Sequence, residues 1–149
     1  MNKYHYPSVA VDIILEKDDN LLLVLRKKDP FKGSLAIPGG FVNEGERVED
    51  AARREMLEET NLNIELVDIL GVYSAPNRDP RGHVVSIVFI AKIISGNVTA
   101  GDDADSFEWL STADLIKNRR VAFDHIKIIE DYREWKTSKG TFWSSKQSE

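Results

Sequence analysis

The chain has 149 residues, 25 acidic against 20 basic side chains, a formal charge of −5 and no cysteine. That length suits one domain able to bury its own core, and the missing cysteines exclude disulfides, thiolate catalysis and cysteine-held metals. The acidic balance argues against general nucleic-acid binding. No run is long and apolar enough to span a membrane, and the apolar stretch 9–15, interrupted by Asp12 and closed by Glu16, is unlike a signal peptide, so a cytoplasmic protein is expected.

Residues 8–16 and 21–27 are β-rich runs flanking Lys17-Asp18-Asp19-Asn20, which predicts a hairpin. After a loop over 28–34, the apolar run from Leu35 to Val42 is broken by Pro38-Gly39-Gly40, a turn signal. Residues 47–59 are good helix formers with one β-branched residue, Val48. Glu44, Glu46, Glu49 and Asp50 crowd the start of that helix, where its dipole favours negative charge, and Asn61 suits the left-handed conformation that closes a helix. Strands are expected over 64–73 and 83–94, the second central because it is almost continuously β-branched, and a short one over 107–110. Ser111-Thr112-Ala113-Asp114 resembles a capping box opening a brief helix. Asp124 is the expected cap of a final helix whose Ile128, Ile129, Tyr132 and Trp135 repeat at helical spacing as a core stripe. Residues 138–149 read as a loosely held polar tail. The whole predicts a single α/β domain over 1–149, with a mixed sheet and helices on both faces.

The chemistry concentrates in residues 40–62, GFVNEGERVEDAARREMLEETNL. Glu55, Glu58 and Glu59 are related by three and four residues, so they share one helix face. Their mutual repulsion would become binding energy around a divalent cation, and an all-oxygen set suits Mg²⁺ or Mn²⁺ rather than zinc. Arg54 is expected to turn away from that face and to fix a glutamate through a bidentate pair. Two glycines let the backbone approach a phosphate or metal closely, with the Gly40 carbonyl as a candidate ligand.

The spacing of Gly40, Glu46, Arg54, Glu55, Met56, Glu58, Glu59 and Leu62 resembles the signature of the Nudix hydrolases, with Asn61 where the family pattern has glycine. The resemblance spans about residues 8–132 and implies a Nudix-type α/β/α sandwich. It also implies Mg²⁺-dependent hydrolysis of a nucleoside diphosphate derivative, with Mn²⁺ as a substitute. Metal ligation falls to Glu55, Glu58, Glu59 and Gly40, orientation to Arg54, and support to Glu46. The general base would be a box glutamate, or Asp105 or Glu108 near the acidic run Gly101-Asp102-Asp103-Ala104-Asp105; Ser106 stands where relatives tend to carry a glutamate.

Outside the box, Pro76, the run Arg78-Asp79-Pro80-Arg81-Gly82 and Phe123-Asp124-His125 are similar to the ADP-ribose pyrophosphatase group. The expected reaction is ADP-ribose to AMP and ribose 5-phosphate. Arg78 and Arg81 would stand on a sharp turn between strands, either binding the phosphate or ribose of the substrate or forming a solvated hairpin tip. Tyr4, Tyr6, Phe31 and Tyr73 are the aromatic residues able to stack on adenine, and a homodimer is expected by analogy. The competing activities are nucleoside triphosphate pyrophosphohydrolysis and ADP-ribose sensing by a regulator, although a pure sensor would not need every box carboxylate.

Overall fold

A computed structural model describes residues 6–97 and 106–147. Tyr4, Asp102, Asp103 and Asp105 therefore lie outside the described residues. The elements run β1 (Ser8–Lys17), β2 (Asn20–Leu25), β3 (Leu35–Ala36), β4 (Gly39–Phe41), α1 (Val48–Thr60), β5 (Asn63–Tyr73), β6 (Val84–Ser95), β7 (Phe107–Ser111), α2 (Thr112–Asn118), α3 (His125–Ser138) and β8 (Phe142–Trp143). The sheet order is β3-β2-β1-β6-β5-β8, with β4 pairing β1 and β7 pairing β2. β1–β6 and β5–β8 are parallel and the other pairs antiparallel, so the sheet is mixed as expected.

β1 sorts the core into two layers. Val11, Ile13 and Leu15 point to one face with Leu22 and Phe89, beneath Ala51, Ala52 and Met56 of α1. Ile14 points to the other with Leu23, Val88 and Ile90, beneath Leu115 of α2 and the α3 stripe Ile128, Ile129, Tyr132 and Trp135. Alternation along each strand thus puts one helical layer on each face. Each fully buried Leu or Ile contributes about 1.5–3 kcal/mol by leaving water.

The edge of β1 is divided between two partners. Ala10, Val11 and Asp12 pair with Phe41, Gly40 and Gly39 of β4, whereas Glu16 and Lys17 pair with Leu21 and Asn20 of β2. Where β4 and β2 part, the sheet opens into a cleft.

Three expectations need correction. Glu44 and Glu46 precede α1, leaving Glu49 and Asp50 in its first turn. Asp124 is the N-cap residue of α3 but makes no side-chain cap, because its carboxylate is engaged by Arg78. The polar segment after Ser138 is not loose as far as Gln147: β8 adds to β5, Phe142 is buried, and Ser144 Oγ accepts the amides of Ser74 and Ala75 at 2.8 and 3.2 Å. By contrast Ser111 caps α2 as expected, its hydroxyl accepting the Asp114 amide at 3.1 Å.

Asn61 closes α1 at φ +62°, its amide bonded to the Leu57 carbonyl. Since Asn61 is exposed, its role is that of backbone geometry. Asn61→Gly should therefore leave the denaturation midpoint nearly unchanged, whereas Asn61→Val should lose about 1–2 kcal/mol by urea unfolding.

Candidate functional site

α1 aims its glutamates back towards β4. Glu55 packs so closely on Gly40 that a methyl group there would overlap its carboxyl, and Glu59 accepts the Gly39 amide at 3.3 Å. Burial raises the pKa of Glu55, against the opposing pull of Arg54. Burial, reinforced by the charge of Glu55, pushes Glu59 further, to about 7. Glu58 stands on the same face but is well exposed.

Arg54 is not turned away from this face. It forms a bidentate pair with Glu46, at 2.7 and 2.9 Å, and also reaches Glu55 Oε1 at 2.8 Å, Glu58 Oε2 at 3.3 Å and the Phe41 carbonyl at 3.1 Å. Side-chain and geometric neighbours one and four residues on simply fall within reach of so long a guanidinium. Both oxygens of Glu46 are thereby committed to Arg54, with the Asn43 amide as a further donor. These bonds, Arg54 first, pull Glu46 down to about 2. Glu46 thus contacts Arg54 rather than the space above Glu59.

Among the described residues no three acidic or imidazole side chains converge on one point at metal-ligand distance; the Arg54 guanidinium occupies the space between Glu55 and Glu58. The donor chemistry nonetheless fits a hard divalent cation. Three carboxylates share a face beside a glycine backbone, and the pKa values of two of them, Glu55 and Glu59, are raised by burial and by neighbouring carboxylates, which a cation would relieve.

From Gly39, Gly40 and Glu59 the cleft runs between β4 and β2, with a cavity volume of about 200 Å³. Arg78, Asp79 and Arg81 from the β5–β6 connection line it, together with Arg26 just after β2, Asp12 of β1, Phe41, Phe123 and His125. The segment with the two arginines is therefore not a solvated hairpin tip. Arg78 is buried and bidentate on Asp124, at 2.8 and 3.0 Å. Arg81 is half exposed and clamped on Asp79 at 2.8 Å, its guanidinium lying over the Phe41 and Phe123 rings. Burial of Asp79 opposes its ionisation, but bonds from the Arg81 side chain and amide outweigh that and lower its pKa.

Several of these residues escaped the sequence reading. Asp12 registered there only as an interruption of an apolar strand, although an acid at a core-facing strand position is itself a signal. His125 was part of a recognised run without a role, Asp79 was read as a turn residue, and nothing marked Arg26. Conversely, Glu108 is paired through both oxygens with Arg119, at 2.6 and 3.1 Å, and does not line the cleft. Tyr73 is buried in the core with its hydroxyl on Asp131, and Phe31 packs edge-on against Phe123. Tyr6 lies on a neighbouring surface groove instead.

Comparison with known proteins decides the family: the NUDIX domain matches residues 6–132. The chain belongs to the Nudix family. It is 56% identical over 133 residues to an ADP-ribose pyrophosphatase of Methanocaldococcus jannaschii, covering 89% of this chain and 77% of that protein. The NUDIX domain of Shewanella oneidensis NrtR, solved with ADP-ribose, superposes with a TM-score of 0.76 at 28% identity, covering 90% of this chain and 91% of that one. A bifunctional NMN adenylyltransferase/ADP-ribose pyrophosphatase of Francisella tularensis, solved with AMP and a manganese ion, gives a TM-score of 0.75 at 33% identity over 89% of this chain. This chain spans 43% of that larger protein. The Nudix assignment agrees with the α/β/α layering and the mixed sheet. No helix among the described residues is long and apolar enough to cross a membrane.

The buried glutamate gives this Nudix protein a pH signature. Below pH 4.5, the ordinary value, Glu59 is protonated in both folded and unfolded chains. Between that pH and about 7 the unfolded chain loses a proton the folded chain keeps, so stability falls as pH rises, by at most about 3 kcal/mol. In metal-free protein, Glu59→Gln should remove this component. Wild type and variant showing the same pH slope in urea unfolding would refute the burial account.

Proposed function

We propose that this Nudix hydrolase cleaves the diphosphate bond of ADP-ribose, with Mg²⁺ as its cation, to give AMP and ribose 5-phosphate. One observation carries the reading: Glu59 of the box and the Arg78-Asp79-Arg81 segment line a single cleft. A diphosphate placed at the glutamates thus has its attached groups within reach of the arginines. The identity to an ADP-ribose pyrophosphatase supports the same substrate.

Glu55, Glu58 and Glu59 are the residues to hold the cation, beside the Gly40 backbone. When bound, it supplies Lewis-acid polarisation of the phosphoryl oxygens and neutralisation of developing charge. Arg54, buttressed by Glu46, fixes the direction of Glu55 and Glu58. A water attacks phosphorus, and a box carboxylate not engaged by the cation is the group to receive its proton. Arg81, stacked on two rings yet half exposed, offers its remaining N–H groups to the substrate. The exposed Val67, Ile69 and Ile94 of the β5–β6 ribbon support a homodimer, and the acidic charge and absence of cysteine a cytoplasmic setting.

The direct test is Mg²⁺-dependent hydrolysis across ADP-ribose, NADH, diadenosine polyphosphates, coenzyme A and nucleoside triphosphates. ADP-ribose should lead and yield AMP; a nucleoside triphosphate turned over faster, with release of pyrophosphate, would overturn the substrate. Glu59→Gln should lower kcat by roughly a hundredfold or more with the fold intact, as judged by circular dichroism. Arg81→Ala should raise KM for ADP-ribose with little effect on small diphosphates. Arg78→Ala should also raise it, but at a stability cost of a few kcal/mol, since it strands Asp124.

A further inference from the structure

The floor of the cleft holds a polar pair that the hydrolytic chemistry does not use. His125 is buried at the start of α3, and its Nδ1 accepts the Ile37 amide at 3.0 Å. A neutral ring accepting at Nδ1 carries its proton on Nε2. Burial keeps the ring neutral by lowering its pKa, although the charges of Asp12 and Asp124 oppose this. The Nε2 proton has no hydrogen-bond acceptor among the described residues: Asp12 Oδ1 is 3.9 Å away, beyond bonding range. Asp12 Oδ2 is bonded by the Ser86 hydroxyl, and Oδ1 receives no hydrogen bond from a described side chain or amide.

One donor and one acceptor thus lie side by side, both on residues that line the cleft. A carboxylate on this floor repels phosphate, so the complementary group is uncharged and presents a donor next to an acceptor. Apolar side chains share the cleft with its charged groups: Ala10, Val24, Ala36 and Ile37 line it, and the Phe123 ring lies 5.3 Å from the imidazole. Phe123 is held at φ +54°, a conformation that costs a non-glycine residue about 1–3 kcal/mol, and its ring is part of the cleft wall.

We infer that Asp12 and His125 read the Watson–Crick edge of an adenine, the exocyclic amino group donating to Asp12 Oδ1 and ring N1 accepting from His125 Nε2. Hypoxanthine and guanine present the reverse order, an N1–H donor beside an O6 acceptor. Either would set oxygen against carboxylate and N–H against N–H. The pair therefore selects the base, whereas the box selects the diphosphate. This deepens the proposed activity and rests on it for the nucleotide class of the substrate.

The test compares kcat/KM for ADP-ribose with that for inosine diphosphate ribose, and calorimetric binding of AMP with that of IMP. Wild type should prefer the adenine compound by on the order of 10- to 100-fold, the range of one good bidentate base contact. Asp12→Asn, whose amide can present either polarity, should reduce that preference to about threefold or less while thermal unfolding still shows one cooperative transition. A wild-type preference below about twofold overturns the inference, whether or not the variant folds, as does an undiminished preference in Asp12→Asn. So does a response to removal of the ribose 2′-hydroxyl in place of a response to the base. If ADP-ribose is not hydrolysed at all, the proposed substrate fails, and the AMP and IMP affinities still decide the base reading.

Discussion

The site depends on how closely β4 can lie between β1 and α1. Gly39 and Gly40 pair with Asp12 and Val11, and each has an acidic side chain packed where a Cβ would stand, Asp12 at Gly39 and Glu55 at Gly40. Any side chain at either position would collide, with strand backbone at Gly39 and with the glutamate carboxyl at Gly40. Without that approach, Glu55 and Glu59 could not sit half-buried beside an open cleft, and Asp12 could not reach its floor. The two glycines set the distance between the acidic helix and the cleft.

That approach concentrates negative charge, and the rest of the site answers it. Arg54 takes Glu46, Glu55 and Glu58, Arg78 takes Asp124, and Arg81 takes Asp79. Among the described residues Glu59 has no such direct partner, and burial with the charge of Glu55 pushes its pKa up to about 7. Pairing the arginines before substrate arrives orients them, and a guanidinium has donors left over after one bidentate contact. A protein of net charge −5 can in this way present local cations to an anionic substrate without a basic surface.

What was legible in the sequence follows from the range of the interactions involved. α1, its left-handed end at Asn61, the β1–β2 hairpin, the Ser111 cap and the α3 stripe all rest on neighbours within a few residues, and periodicity exposes them. β3 and β4 are two and three residues long and exist only through pairing with β2 and β1, so Pro38-Gly39-Gly40 read as a turn. β8 has the same character, created by β5. The Asp124 side chain could cap its own helix by every local rule, yet Arg78, 46 residues away in sequence, offers a charge-assisted bidentate bond in a buried setting. The Asp12–His125 pair spans a still larger separation, and only the β1 edge dividing between β4 and β2 brings it to a surface.

The same long-range logic explains why the C-terminal segment matters to a site it does not line. Ser144 receives two amides from the beginning of the β5–β6 connection, at Ser74 and Ala75, and β8 lies against Gly71, where any side chain would strike the Phe142 backbone. Farther along that connection, Arg78 is tied to Asp124 at the start of α3. One turn or more along the helix, Asp131 bonds the Tyr73 hydroxyl at 2.7 Å and Lys127, which also holds the Lys146 carbonyl. The arginine-bearing segment is thus braced at its strand end by β8 and at its middle by α3, the helix that also supplies His125. Its conformational entropy is lost at folding, when the core forms, and little remains to be lost when substrate binds.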